Sequence, residues 1–153
     1  MTQPEQAKDT GGKNEKMLLG KLLLTFTIVS VAMGPLTADL NNTHIFNPDW
    51  PPHARFHNAV GLFSSIGFAL LGLWLLWKKT TEFRTNLLAA TAIPIFLWST
   101  FFLALLIPGT AVEDHLGTLP VILGLPLNLL VALMFTILSI TGYILCNNAH
   151  EKS

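Results

Sequence analysis

The chain has 153 residues, of which 51% are hydrophobic and 12% are charged, and its nine basic and nine acidic side chains give a formal net charge of zero. Soluble domains carry about 25% charged residues, so this composition argues against a water-soluble protein. A neutral chain without a basic face also argues against nucleic-acid binding. The single cysteine, Cys146, cannot form an internal disulfide and is interpreted as a small packing residue.

Residues 1–16 are polar, contain a Gly pair and show no apolar periodicity, which predicts a disordered cytoplasmic tail. The region 17–148 contains four stretches with the roughly 20 mostly apolar residues that a membrane-spanning helix needs. The first is longer than the apolar region of a signal peptide, so we interpret it as a retained span. The predicted spans are 17–38, 54–77, 86–112 and 116–147, followed by a short cytoplasmic tail over 149–153. This pattern predicts an all-α integral membrane protein, a single antiparallel four-helix bundle.

The basic residues are divided unequally between the predicted connections, and the unequal division predicts an orientation. All but one lie before or near the start of the first span, between the second and third spans, or at the end of the chain, whereas Arg55 follows the first span. The positive-inside rule therefore predicts a multi-pass protein of the cell (inner) membrane with both termini in the cytoplasm. The first group comprises Lys8, Lys13, Lys16, Lys21, Lys78, Lys79, Arg84 and Lys152.

A polar island, DLNNTHIFNPDWPPHARFHN over 39–58, follows the first span and is predicted to face outward. Asp49, Trp50 and two prolines within it are typical of a helix start. His53 and His57 are four residues apart and share one helix face, which we expect to project into the mouth of the bundle. Arg55 is expected to point away from them. The third connection is predicted to reach the same rim.

Three interpretations of this rim remain open. In the first, histidines and carboxylates hold Zn or another transition metal, since imidazole and carboxylate are ordinary ligands of these ions. The metal candidates are His44, His53, His57 and His115, with Glu113 or Asp114. In the second, carboxylates and histidines move protons on a lipid-soluble substrate. The proton-transfer candidates are Asp39, His53, His57 and Glu113. In the third, the polar residues only stabilise the loops.

Other polar and aromatic residues are candidates for contact with a ligand. Asn128 lies in the fourth predicted span, where an amide is costly unless it is hydrogen-bonded. Trp98 is placed to line a cavity between helices. The full set of ligand-contact candidates is His44, Asn47, Arg55, Trp98, Asp114, His115 and Asn128.

The run HIFNPDWPPHARFHNAVG resembles the signature of small bacterial four-span membrane proteins that have no established activity. The overall layout is also similar to the EXPERA superfamily, which includes the emopamil-binding sterol isomerases and sigma-2-receptor-like proteins. Asp39 at the end of the first span, Trp50-Pro51-Pro52 at the start of the second and Glu113 late in the third carry this likeness. The resemblance implies a hydrophobic ligand held within the bundle.

Together these patterns predict an outward-facing His/Asp/Glu site that binds a small lipid-like or terpenoid molecule, with isomerase-like acid–base chemistry as its enzymatic form. A metal-binding membrane protein and a non-catalytic scaffold are the alternatives. The partners predicted are the lipid bilayer and this small molecule, and no nucleic acid. The sequence leaves enzymatic activity and oligomeric state open.

Overall fold

A computed structural model of the chain describes residues 3–113 and 117–151, with the side chains of the first helix described from Gly11 onward. Four long α-helices account for most of these residues, and a two-stranded hairpin precedes the last helix. The first helix contacts each of the other three, which confirms the predicted all-α four-helix bundle. The elements are α1 (Gln3–Asp39), α2 (Pro52–Trp77), α3 (Phe83–Ala104), β1 (Val121–Ile122), β2 (Leu125–Pro126) and α4 (Leu127–Glu151).

The helices bury both small and large side chains, and they also expose many large apolar ones, unlike the helices of a water-soluble bundle. Along α2 the buried positions recur at alternating spacings of three and four residues, which places them on one face of the helix. The opposite face exposes large apolar side chains such as Phe63, which is 69% exposed. Each of the four helices is also long and apolar enough to cross a membrane. The helix exteriors therefore face the acyl chains of a lipid bilayer. The buried positions of α2 are Leu62, Ser65, Ala69, Gly72 and Leu76.

A close contact between α1 and α4, which we call the glycine seam, is formed by Gly20 and Gly142. A Cβ atom added at Gly20 would lie 2.6 Å from Cys146 Sγ and 2.8 Å from the carbonyl oxygen of Gly142. A Cβ added at Gly142 would lie 2.9 Å from Leu24 Cγ and 3.0 Å from the carbonyl oxygen of Gly20. Small residues let helix backbones approach this closely. The buried Cys146 fills the space beside them as a packing residue.

One end of the bundle, which we call the lysine end, is marked by cations stacked on aromatic rings. Lys21 Nζ lies 5.0 Å from the centroid of the Trp77 ring and 5.7 Å from that of Phe83. Lys78 Nζ lies 4.2 Å from the centroid of the Trp74 ring. Aromatic and cationic side chains of this kind anchor helices at the membrane–water interface. We call the opposite end, which carries residues 40–51, 105–113 and 117–126, the rim end.

The third helix ends at Ala104, earlier than the predicted boundary at residue 112. Pro108 disfavours helical backbone at the residue before it, and Gly109 adopts a left-handed φ of 88°. The Thr110 hydroxyl donates to the carbonyl oxygens of Ala104, at 2.7 Å, and Ile107, at 3.0 Å. It thereby satisfies carbonyls that the end of a helix leaves free.

The fourth helix begins at Leu127 rather than at residue 116, because the segment before it forms a hairpin. Strands β1 and β2 pair antiparallel, and the Leu127 N–H donates to the Pro120 carbonyl oxygen at 2.9 Å. Leu123 and Gly124 have φ values of 53° and 78°, the two positive values of a type I′ turn. Pro120 and Pro126 bracket this hairpin.

The backbone of α1 is helical from Gln3, so the segment predicted to be disordered continues the first span. Gln, Glu, Ala and Lys in this segment are good helix formers, and the helix tolerates Gly11 and Gly12. The second helix begins at Pro52, two residues before the predicted boundary, with proline in its first turn as the sequence indicated. The last helix continues to Glu151, so the predicted tail is helical as far as that residue, and Lys152 lies outside the described residues.

Candidate functional site

The loop over 40–51 is shaped by its own polar side chains. The Asn41 Oδ1 atom accepts both the backbone N–H of Thr43, at 2.8 Å, and its hydroxyl, at 2.6 Å. The Asn47 amide donates to the Thr43 carbonyl oxygen at 3.2 Å and accepts the Asp49 N–H at 2.9 Å. Such side-chain turns hold a loop without regular secondary structure. Asn47, predicted as a ligand contact, therefore has a structural task.

Asp39 and His44 form a pair on the rim. His44 Nε2 lies 4.0 Å from Asp39 Oδ1, and the two side chains are 33% and 28% exposed. The other ring nitrogen of His44, Nδ1, lies 2.8 Å from the Thr43 hydroxyl oxygen. The Trp50 ring meets the imidazole edge-on at a centroid distance of 5.3 Å. His44 is therefore oriented on three sides, with its Nε2 directed at a carboxylate.

Asn58 on α2 completes this cluster, although it was absent from the predicted site. Its side chain lies beside the Asp39 carboxylate. The Asn58 Oδ1 atom is buried and has no hydrogen-bond partner within residues 3–113 and 117–151. A buried amide oxygen without a hydrogen-bond partner costs free energy. A donor group that bound next to this oxygen would recover that free energy. The cluster of Asp39, His44 and Asn58 joins the end of α1, the first loop and α2.

His53 and His57 lie on the exposed face of α2, so the expectation that they project into the bundle mouth is wrong. The polar residues that are partly buried at this level are Arg55 and Asn58, which continue the spacing of the buried face towards Leu62. The backbone rotation of α2 thus turns Arg55 towards the bundle and the histidines away. The two imidazoles contact each other, with their Nε2 atoms 3.0 Å apart and their rings nearly perpendicular.

Glu113, a predicted proton-transfer group, holds the following loop. Its carboxylate accepts the N–H groups of Gly117 at 3.0 Å and Leu119 at 2.9 Å, and the hydroxyl of Thr118 at 3.0 Å. The Leu119 N–H contributes most, followed by that of Gly117, to holding the pKa of Glu113 below its ordinary value of 4.5. Hydrogen bonds to the ionised form favour it, so this carboxylate stays charged and anchors the loop.

Asn128 and Trp98, predicted as ligand contacts, are used within the protein. Asn128 lies in the first turn of α4, where its amide donates to the Val112 carbonyl oxygen at 3.0 Å. Trp98 is buried, and its indole N–H donates to the Ser30 hydroxyl at 3.0 Å. The Trp98 ring also stacks on Phe135 at a centroid distance of 4.8 Å. Asn128 fastens the rim loop to α4, and Trp98 belongs to the packed interior.

Two partly open clefts flank the segment of Ala111 and Val112. The first has a volume of about 290 Å³ and is mostly apolar, and Asn128 is among the residues that line it. The second has a volume of about 250 Å³, is more polar, and reaches His44 and Glu113. The first cleft is lined by Thr100, Phe101, Ala104, Leu105 and Thr110, together with Ala111, Val112 and Asn128. The second is lined by His44, Ala111, Val112, Glu113, Thr118 and Leu119.

The described residues bring only part of the predicted metal site together. Within residues 3–113 and 117–151, no group of three or more His, Cys, Asp or Glu side chains is arranged to hold a metal ion. His53 and His57 are adjacent, whereas His44 pairs with Asp39 instead. Two further candidates, Asp114 and His115, lie outside the described residues.

The cleft residues Thr100 and Thr110 were missed, as was Asn58. Threonines in an apolar stretch are common and carry no sequence signal for a cleft. Asn58 did have a signal, because the buried positions of α2 extrapolate back to it at the same spacing. The spacing of the buried face therefore identifies the inward polar residue better than the histidine pattern does.

Four packed helices, each long and apolar enough to cross a membrane, define a multi-pass integral membrane protein. The model of a family of unknown function, DUF6640, matches residues 23–145, about four-fifths of the chain. The chain therefore belongs to this family, and the match runs from within α1 to within α4 and includes both clefts. Neither the curated proteins nor the solved structures include a match to the chain.

Proposed function

We propose that this protein binds a small, hydroxyl-bearing hydrophobic molecule in the paired clefts at the rim end. In this proposal the rim faces the outside of the cell membrane and the lysine end faces the cytoplasm, in keeping with the lysines at that end. The observation that carries the proposal is the meeting of an apolar and a polar cleft at Ala111 and Val112. Together their volumes fall within the range of about 300–1,000 Å³ that is typical of small-molecule pockets.

The chemistry of the apolar cleft favours a ligand that donates a hydrogen bond. The hydroxyl groups of Thr100 and Thr110 already donate to backbone carbonyls, at 2.6 Å to Leu97 and 2.7 Å to Ala104. Their oxygens still have lone pairs that can accept. An apolar body against Phe101 with an alcohol directed at these oxygens would match the walls, as a lipid-like or terpenoid alcohol does.

The polar cleft supplies the groups for acid–base chemistry, should the ligand be a substrate. His44 borders this cleft, and Asp39 lies 4.0 Å from its imidazole. An imidazole beside a carboxylate can act as a general acid or a general base. This role agrees with the EXPERA-like layout, in which Asp39 ends the first span. It departs from that layout at Glu113, which serves the loop, so Asp39 and His44 are the proposed proton-transfer pair.

Photoaffinity labelling tests the binding proposal. Purified protein in lipid nanodiscs would be exposed to a long-chain alcohol that carries a diazirine, and labelled peptides would be identified by mass spectrometry. Labelling is expected around Phe101 and Val112. Ala104→Phe fills the apolar cleft and should reduce labelling at least fivefold. Ala89→Phe places the same side chain on the exposed face of α3 and is the matched control.

The polar cleft is tested by a second pair of variants. His44→Ala should weaken labelling at Val112. His57→Ala removes an imidazole on the exposed face of α2, away from the clefts, and should leave this labelling unchanged. Equal labelling in the Ala104→Phe and Ala89→Phe proteins would contradict binding in the clefts. That result would favour the scaffold interpretation, in which the rim only stabilises loops.

A transition-metal site is the second candidate function, and the spacing of His53 and His57 favours it. Zn–N bonds of about 2.0–2.1 Å place two adjacent ligand nitrogens roughly 2.9–3.4 Å apart. The 3.0 Å separation of the two Nε2 atoms falls in this range. Titration with Cu²⁺ or Zn²⁺ by calorimetry should give one site that His57→Ala abolishes and His44→Ala retains. Equal binding by both variants would exclude this pair.

A further inference from the structure

The rim end exposes a group of large apolar side chains that the clefts do not use. Leu123, at the tip of the hairpin, is 89% exposed, and Leu106, just after α3, is 77% exposed. We call the group the rim wedge. Its members are Leu106, Ile107, Val121, Ile122 and Leu123, all of them exposed. The described parts of the two rim segments, 105–113 and 117–126, contain one charged residue, Glu113, whose carboxylate accepts the N–H groups of Gly117 and Leu119.

The lengths of α3 and α4 place the rim wedge at the edge of the hydrocarbon layer. From Asn147 near the lysine end to Leu127 is a rise of about 30 Å at 1.5 Å per residue, which equals the hydrocarbon thickness of a typical bilayer. From Asn86 to Ala104 the corresponding rise is about 27 Å. The segments at the rim ends of both helices therefore lie at the boundary between acyl chains and headgroups.

The backbone at Leu123 adds an independent observation. Its φ of 53° lies in the left-handed region, where Asn, Asp or Gly is the usual residue of a type I′ turn. A leucine with this φ has a strained backbone, and its apolar side chain is exposed. In water, neither the backbone strain nor the exposure of the side chain would be offset by a favourable contact. Strained residues that persist tend to be held for a task. A lipid environment would provide that compensation by surrounding the side chain with acyl chains.

We infer that the rim wedge inserts its side chains among the lipid acyl chains of the leaflet at the rim end. The wedge continues the lipid-facing surface of the bundle, because the exposed Leu103 of α3 lies three residues before Leu106. Its irregular backbone has to stay near the headgroups, since unpaired N–H and C=O groups are not tolerated in the hydrocarbon core. The wedge thus lies in the interface, with its apolar side chains directed into the membrane.

Depth-dependent quenching tests this inference in the full-length protein. Leu123→Cys and Leu106→Cys would each be labelled with the fluorophore NBD and reconstituted into liposomes. The native Cys146 is buried, so wild-type protein serves as the blank. Asn42→Cys, on the exposed polar loop at the same end, is the matched control. Quenching by a shallow doxyl-labelled phospholipid would be compared with quenching by aqueous iodide.

For each label, the ratio of quenching by the doxyl lipid to quenching by iodide is measured. This ratio should be at least fivefold larger at the two wedge positions than at the Asn42→Cys control. Labels at both wedge positions that iodide quenches as strongly as the control would overturn the inference. Labels shielded from both quenchers would overturn it as well, because they would indicate a second protein copy over the wedge. Two separate label sites keep the test decisive if one substitution disturbs the hairpin. Neither outcome depends on ligand labelling in the clefts.

Discussion

The glycine seam makes the sharpest prediction for stability. Gly142→Ala adds one methyl group at a point 2.9 Å from Leu24 Cγ and 3.0 Å from the Gly20 carbonyl oxygen. The carbonyl belongs to the α1 backbone and cannot rotate away. The two helices must therefore separate by a few tenths of an ångström, which loosens the contacts on both sides of the seam.

Two opposing effects determine how much Gly142→Ala changes the free energy of unfolding. Overpacking a close contact costs about 1–3 kcal/mol. Replacing glycine by alanine in a helix interior contributes roughly 0.5–1 kcal/mol in the opposite direction. We expect Gly142→Ala to lower the free energy of unfolding by about 1–2 kcal/mol, which is roughly a five- to thirtyfold change in the folded-to-unfolded ratio.

Reversible unfolding in mixed micelles of mild detergent and SDS, followed by circular dichroism, measures this change. Gly67→Ala is the matched control, since a Cβ atom there meets no atom within 4 Å. Because only the helix-propensity effect operates in the control, its free energy of unfolding should rise by about 0.5–1 kcal/mol. Equal shifts of the same sign in the two variants would refute the argument that the seam is closely packed.

Three further predictions concern single side chains. The Gly117 and Leu119 amides should be most protected from hydrogen exchange above the ordinary carboxyl pKa of 4.5, where the Glu113 carboxylate is ionised. Their protection should be lost as the pH falls through the lowered pKa of Glu113. Glu113→Gln should remove this pH dependence. Trp98→Phe should lower the free energy of unfolding by about 1–3 kcal/mol, measured in the same micelles, because the bond to Ser30 and part of the ring packing are lost. Arg84→Ala should change it by less than about 1 kcal/mol, since the ion pair with Glu151 is exposed; a larger loss would indicate a role beyond this pair.

The sequence predicted the class of fold because hydropathy and length determine which segments can cross a membrane. It misplaced the helix ends at the rim, where the residues after Ala104 and before Leu127 are as apolar as the helices themselves. Apolar composition cannot distinguish a spanning helix from a segment at the interface. Pro108 and Gly124 carried the signal for a turn at these places, yet proline is also found within spanning helices.

The sequence led to some residues of the candidate site and missed others. The polar island did lead to Asp39 and His44, which meet in the structure. The rotation of α2 could not be derived from the two histidines, because a pair at this spacing shares a face whichever way the face points. Asn58 would have been found by extending the buried positions of the helix towards its start. Cleft residues depend on where α3 ends, which the apolar pattern left undetermined.

The glycine seam also has a consequence for the order of assembly during synthesis. Gly20 and Gly142 are separated by 122 positions along the chain, so at about 5–20 residues per second the first helix waits roughly 6–24 s for its partner. During that interval its small-residue groove is open to lipid or to other nascent helices. The bundle closes only when α4 is inserted, and a ribosome paused before that point would leave a three-helix intermediate in the membrane with its closest packing surface still unmatched.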